Sequence, residues 1–465
     1  MAKVKYSDLI EQTFTFPQEE FDHDGNGLLF HGIPQMELVE RFGTPLKYTY
    51  LPKISANIER ARNWFGNAMS KCDYKGKYHY CYVTKSSHYS HVLKEVLKVK
   101  ADLETSSAID ISIMEKLYEQ GLITTDQVIL FNGFKDDAYL RKIAGLVNMG
   151  FHNVITIVDH AEELQKLKTY TDRKLKIGIR IAAEEEPKFE FYTSRLGIGY
   201  RNIIPFYQEF IKDDPQLDMT MLHFFINTGI NDNAYYWNEL SKCMKVLSEL
   251  KAICPTLRAL NIGGGFPIKT SLKFDYDYQY LVDEIISLIK TECDEKGFET
   301  PDIYTEFGAF TVGESGAVLF SILNQKQQND REKWNLIDSS FMTTLPDTWA
   351  TNKRFVMLPL NRWEDTYERV FLGGLTCDSD DYYNSEQHIN AIYLPTFNKE
   401  KPLYIGFFNT GAYQDTIGGV GGLHHCLIPD PKHVLIDRDE NGELHYEVFS
   451  DQQNEQTMLN ILGYK

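Results

Sequence analysis

Four ionisable residues each lie at or near the end of a short apolar run, and their chemistry is complementary. Lys85 follows HYCYVT (79–84), Glu104 falls in KADLET (100–105), Arg180 in LKIGIRI (175–181) and Glu306 in DIYTEF (302–307). A lysine held beside a buried strand gives up its proton more readily than one in water, and the free amine attacks carbonyl carbon, so Lys85 is a candidate Schiff-base lysine. The competing reading is a lysine that snorkels at a rim. Glu104, Arg180 and Glu306 bring opposite charges toward one opening, as either a structural ring of ion pairs or a ligand site. The run RALNIG (258–263) leads into Gly263-Gly264-Gly265, where backbone without side chains lets several N–H groups face one anion. Three glycines alone specify only a tight turn. A nucleophilic lysine, a glycine cradle for phosphate, and a carboxylate such as Glu306 to partner a pyridinium nitrogen together describe pyridoxal 5′-phosphate (PLP).

These residues need a scaffold that gathers strand ends. Four more runs, QVILFN (127–132), NVITIVD (153–159), MLHFFI (221–226) and RALNIG, complete eight candidate strands. Stretches of helical period lie between them, including SHVLKEVLKV (90–99), AYLRKIAGLVNMG (138–150), AEELQKLKTY (161–170), NELSKCMKVLSELKAI (238–253) and YQYLVDEIISLIKTECDEKG (278–297). Eight alternations predict an α/β fold with a (β/α)8 barrel, whose reactive groups collect at the C-terminal strand ends. An open doubly wound sheet is disfavoured, because the first strand runs into VTKSSHYS rather than a glycine-rich dinucleotide turn. After about residue 320 the pattern becomes strand-like: GAVLFSIL, RFVMLPL, ERVFLGGL, AIYLPTF, PLYIGFF, HVLID and LHYEVF lie between turn-rich stretches. The expected organisation is an N-terminal segment 1–50 whose LLFHGI and TPLKYTYL lend strands to the β-rich part, a barrel over 51–320, and a C-terminal β-rich domain over 321–465.

Composition narrows the function. The chain has 465 residues, 43% hydrophobic and 25% charged, ample for a large soluble core. Its 48 basic against 66 acidic residues give a net charge of −18, which repels nucleic acid and anionic lipid and suits a cationic small-molecule substrate. Seven cysteines without CxxC spacing fit a reducing compartment, and the cytoplasm is the expected location. MAKVKYSDLIEQTFTFPQEE has no continuous apolar leader, and no stretch approaches the roughly 20 apolar residues that cross a bilayer. His424-His425 with Cys426 lacks a matching second ligand pair, so no metal site is expected there and the segment reads as a surface or interface turn.

From about Tyr80 to Gln414 the sequence resembles the PLP-dependent decarboxylases with an alanine-racemase-like (fold type III) barrel, and within them the biosynthetic arginine decarboxylases. The resemblance is carried by ILFNGFKDDAYL (129–140), SSFMTTLPDTWATNKRFVMLPLNR (339–362), TCDSDD (376–381) and GAYQ (411–414). It implies decarboxylation of a basic amino acid, foremost L-arginine to agmatine in polyamine biosynthesis. Lys85 would hold PLP as a Schiff base, Glu306 would keep the pyridine nitrogen protonated, and Arg180 would lie near the same ring edge. The phosphate would rest on Gly263, Gly264, Gly265, Gly308, Thr228 and Tyr413, with Glu104 supporting the lysine and ring. The resemblance further implies that Cys377 protonates the carbon left by carbon dioxide, and that Asp378 and Asp380 receive the substrate's cationic end. In this family Cys377 and Asp378 serve the partner subunit's active site, so a homodimer is implied. Taken singly, Cys377 reads as a small buried hydrophobe and the aspartates as a solvated turn.

The sequence departs from the family pattern in three places. Where the family places a histidine over the cofactor face stands Phe225, with His223 two residues earlier. The proline and arginine usual after the glutamate are Phe307 and Ala309, so one cationic phosphate contact is missing. The chain is also shorter than the long biosynthetic arginine decarboxylases. The alternatives are the same chemistry on ornithine, lysine, diaminopimelate or a carboxylated polyamine, and a catalytically silent regulatory homologue.

Overall fold

The computed structural model describes residues 19–25, 27–184, 193–383 and 392–464; the expectation about the opening eighteen residues lies outside them. The chain forms two compact units. Among the described residues, one lies within 54–267 and 276–311, and the other within 19–53, 268–275 and 312–464.

In the first unit all eight apolar runs are strands: Tyr78–Val83, Asp102–Thr105, Ile129–Phe131, Val154–Val158, Leu175–Ala182, Leu217–His223, Ala259–Asn261 and Asp302–Phe307. Each pairs in parallel with the next, and the eighth pairs with the first, closing the expected barrel. Closure leaves the strands no free edge and points alternate side chains inward. The sixth strand begins earlier than MLHFFI suggests and stops at His223, because Phe224–Ile230 turns away to meet the glycine turn, where Ile230 N–H donates to the Gly265 carbonyl at 3.2 Å.

The helices follow from their caps. Asp136 accepts from the Tyr139 amide to start Asp137–Met149, and Gly150, at φ 102, ends it. Asp277 and Gly297 bound Tyr278–Lys296 in the same way. The helices Pro52–Lys71, Ala108–Glu119 and Ile203–Phe210 were not among the helical stretches read from sequence. Among the described residues no helix is long and apolar enough to cross a membrane.

The second unit holds a ten-stranded sheet. Its longest strand, Gly316–Asn329, alternates between two cores: Ala317 and Leu319 pack with Leu46, Tyr48, Leu358 and Val434, while Val318, Phe320 and Ile322 pack with Ile337, Phe341 and Phe407. Burial on both faces explains why this region reads as apolar runs. Leu46–Tyr50, from TPLKYTYL, enters this sheet between Gly316–Leu319 and Lys432–Ile436. LLFHGI does not. Positive φ at His31 and Gly32 (54° and 71°) folds Leu28–Phe30 back onto Ile33–Pro34, and with Phe21–His23 they form a separate three-stranded sheet.

Candidate active site

The barrel interior has an apolar floor with a polar ring above it, and the strand pleat generates both. Cys81, Leu130, Ile155, Ile157, Met221, Ala259 and Tyr304 form one buried cluster. Side chains two residues apart share a face. The residues two beyond Leu130, Met221, Ala259 and Tyr304 are therefore also inward: Asn132, His223, Asn261 and Glu306. Glu104 and Arg180 stand at matching positions on their strands, and all six are buried.

The ring converges on Glu306. Asn261 Nδ2 donates to its Oε1 at 2.7 Å and Asn132 Nδ2 to its Oε2 at 3.4 Å. His223 Nε2 lies 3.3 Å from the same Oε2, a close contact not aligned as a hydrogen bond. Arg180 Nη1 donates to Asn132 Oδ1 at 3.2 Å, with its guanidinium 5.6 Å from the half-buried Phe225 ring. Burial alone would raise the Glu306 carboxyl, but the adjoining His223 imidazole and the Asn261 amide hold it well below the usual carboxylate range. Glu104 behaves oppositely. Burial pushes its carboxyl up to about 8, although Lys85 pulls the other way.

The glycine turn is stitched to this ring. Asn261 Oδ1 accepts from the Gly263 amide at 2.8 Å, and the Glu306 amide donates to the Gly263 carbonyl at 2.8 Å. A Cβ on Gly264 would sit 2.0 Å from the Glu306 carbonyl oxygen. At Gly265, with φ 105, a Cβ would meet Gly229 Cα at 2.5 Å. Only glycine fits at either position. This close approach sets Thr228 beside the turn, where its hydroxyl is buried without a protein partner.

Lys85 lies in a 3₁₀ turn, Thr84–Ser86, just past the first strand. Its side chain is exposed, while the strand before it, Tyr80 to Val83, is buried as expected. The turn itself is fixed. Thr84 Oγ1 donates to Asp110 Oδ1 at 3.0 Å, and Asp110 also meets His88 Nε2 at 2.9 Å. Gly308 packs here, because a Cβ on it would be 3.0 Å from Ser86 Cβ. Lys135 of ILFNGFKDD is buried and donates to the Gly133 and Ile157 carbonyls, pinning the loop that carries Asn132.

Cys377, Asp378, Asp380 and Tyr413 lie in the other unit. In TCDSDD, residues 377–380 are exposed and Asp381 is buried. Asp381 Oδ1 accepts from the Phe341 amide at 2.8 Å and from Ser340 Oγ at 3.1 Å, and its Oδ2 accepts from Thr376 Oγ1 at 2.7 Å. It anchors the loop and leaves its neighbours free to face solvent. The Cys377 thiol is raised above the ordinary range, chiefly by the adjacent Cys426 thiol. Tyr413, half-buried at φ 70, precedes the short helix Gln414–Gly418.

Sequence reading singled out Glu104, Arg180 and Glu306 but passed over Asn132 and Asn261 and gave His223 no task. Their signal was position: each stands at the same level as Glu306, one strand end after another. The donors present fit PLP. Side-chain-free amides and the unpartnered Thr228 hydroxyl suit an anionic tail, and Glu306 suits a protonated ring nitrogen.

Comparison with known proteins agrees with this geometry. The family model for the pyridoxal-dependent decarboxylase, pyridoxal binding domain, matches residues 54–313. The biosynthetic arginine decarboxylase of Prochlorococcus marinus subsp. pastoris is 19% identical over an alignment covering 93% of this chain and 85% of that protein. Arginine decarboxylase 1 of Oryza sativa subsp. japonica is 21% identical, over 92% and 74%. Among solved structures, the biosynthetic arginine decarboxylase of Campylobacter jejuni shares the fold with a TM-score of 0.79 at 19% identity, over 97% of this chain and 90% of that one. A diaminopimelate decarboxylase from M. jannaschii has a TM-score of 0.77 at 17% identity, over 96% and 98%.

Proposed function

Because the chain belongs to the pyridoxal-dependent decarboxylases, we propose that it converts L-arginine to agmatine and carbon dioxide. The observation that carries this reading is the buried Glu306 carboxylate, held ionised by three polar neighbours at the barrel mouth. When bound, PLP supplies an electron sink for the pair left by a departing carboxylate. Glu306 keeps the proton on the ring nitrogen that makes the sink effective. Lys85 is the residue whose Nζ would anchor the cofactor's aldehyde carbon. Gly263, Gly264, Gly265, Gly308, Thr228 and Tyr413 would hold the phosphate, and Glu104 would support the lysine and ring. Phe225 gives the departing carboxylate an apolar wall, and Arg180 positions Asn132 against Glu306.

Cys377 would deliver its thiol proton to the carbon left by carbon dioxide. Asp378 and Asp380 form the carboxylate pair that reads the guanidinium. The curated relatives named arginine decarboxylases support arginine over other basic amino acids. The protein works in the cytoplasm as a homodimer in which Cys377 and Asp378 serve the neighbouring subunit's site. Offering the PLP-loaded protein arginine, ornithine, lysine, diaminopimelate and carboxylated polyamines, with Lys85→Ala as the blank, tests the reading. Agmatine as the main amine product is expected. Release of carbon dioxide from another amino acid with arginine untouched would overturn the substrate assignment.

A further inference from the structure

Around the exposed Cys377 thiol the fold assembles ligands that the sequence keeps 48 and 49 residues away. Cys426 Sγ lies 3.3 Å from Cys377 Sγ, and His425 Nε2 lies 4.0 Å from the same sulfur. The three ligand atoms all fall within 4.8 Å of one another. Asp378 Oδ2 is 3.9 Å from His425 Nε2, so a fourth donor stands beside them. The Cys377 amide donates to Cys426 Sγ at 3.3 Å, a bond that favours sulfur carrying negative charge. Cys426 itself sits at φ 54, an unfavourable region for a residue with a Cβ, which turns its thiol toward Cys377.

We propose that Cys377, His425 and Cys426 bind zinc(II), with Asp378 or water completing a tetrahedron. Zinc–sulfur bonds of about 2.3 Å and zinc–nitrogen bonds of about 2.0–2.1 Å place the ligand atoms of a tetrahedron roughly 3.5–3.8 Å apart. The separations of 3.3 and 4.0 Å lie on either side of that range, so small side-chain rotations suffice. Two thiolates and an imidazole select zinc over magnesium or calcium. Binding forms two metal–sulfur bonds and one metal–nitrogen bond and releases both thiol protons to solvent. The metal's consequence rests on the functional reading above: a metal-bound Cys377 thiolate has no proton to give, so zinc at this position inhibits decarboxylation.

Reduced, chelator-treated holoenzyme dialysed against zinc is expected to take up one ion per chain through these ligands. Cys426→Ala and His425→Ala should each bind more than about 100-fold more weakly, beyond the usual cost of losing an outer-shell partner. X-ray absorption at the zinc edge of the unaltered protein, which needs no variant, should report two sulfur ligands. Cobalt(II) in place of zinc should show the intense visible bands of tetrahedral coordination. Arginine decarboxylation should fall as zinc fills the position and resist the same zinc concentration in Cys426→Ala. A zinc edge without sulfur ligands, or uptake unchanged in both variants, would overturn the site. Uptake through sulfur with undiminished turnover would overturn the inhibition. Absence of agmatine from metal-free enzyme would instead defeat the functional reading, leaving the binding result to be judged on its own.

Discussion

At the barrel mouth, Glu104, Asn132, Arg180, His223, Asn261 and Glu306 are all buried, and their positions are dictated by strands. In the TCDSDD loop, Cys377, Asp378 and Asp380 are exposed, and their position depends chiefly on Asp381. The first arrangement resists change because all six side chains lie in a close-packed interior, where hydrogen bonds link Arg180 to Asn132 and both asparagines to Glu306. The second separates anchoring from exposure: one aspartate is spent on holding the loop, and the others face solvent. Substitutions at the mouth should therefore damage stability and activity together, whereas substitutions at exposed loop positions should damage activity alone.

The largest effect is expected in the loop. Cys377→Ala should lower kcat by about 10²–10⁴-fold, the usual contribution of a positioned proton donor, while its melting temperature stays that of the unaltered protein. Steady-state kinetics beside calorimetry would check both halves, and a large loss of stability would break the contrast. Glu306→Gln should cost about 10²–10³-fold in kcat, as expected when one preorganised electrostatic partner is lost. Here stability should change as well, because His223 and Asn261 lose a charged partner. Gly264→Ala should destabilise by about 1–3 kcal/mol or more, since a Cβ would press on the Glu306 carbonyl, and it should weaken PLP retention. Denaturation and cofactor dialysis measure the two effects.

The smallest effect concerns pH. Glu104 has its carboxyl raised from an ordinary 4.5 to about 8 by burial, against the pull of Lys85. The folded state thus holds a proton that the unfolded chain has already lost. Its stabilising influence is complete below 4.5 and disappears as pH climbs through about 8. In cofactor-free protein, Glu104→Gln should flatten the decline of melting temperature across that window. An equal decline in both proteins would show that Glu104 is not the group responsible.

The scaffold was legible in the sequence because its strands are buried on both faces and read as continuous apolar runs. Glu104, Arg180 and Glu306 stood out as charges interrupting those runs. Asn132 and Asn261 did not, since an amide at a strand end looks like any turn residue until register shows it facing inward. The excursion of residues 268–275 into the β-rich unit was invisible for a related reason: no local pattern records which unit a short segment joins. The thiol pair was hidden by distance, because Cys377 and Cys426 are 49 residues apart and no spacing motif spans such a gap. Phe225 was legible as a departure, yet only the structure gave His223 a place, fully buried and in contact with Glu306.

Covalent attachment of the cofactor at the barrel mouth is tested most directly by borohydride reduction of the PLP-loaded protein, followed by mass spectrometry of its peptides. The expected result is a stable pyridoxyl adduct on Lys85, absent from Lys85→Ala. An adduct confined to any other lysine, or none at all, would contradict the assignment.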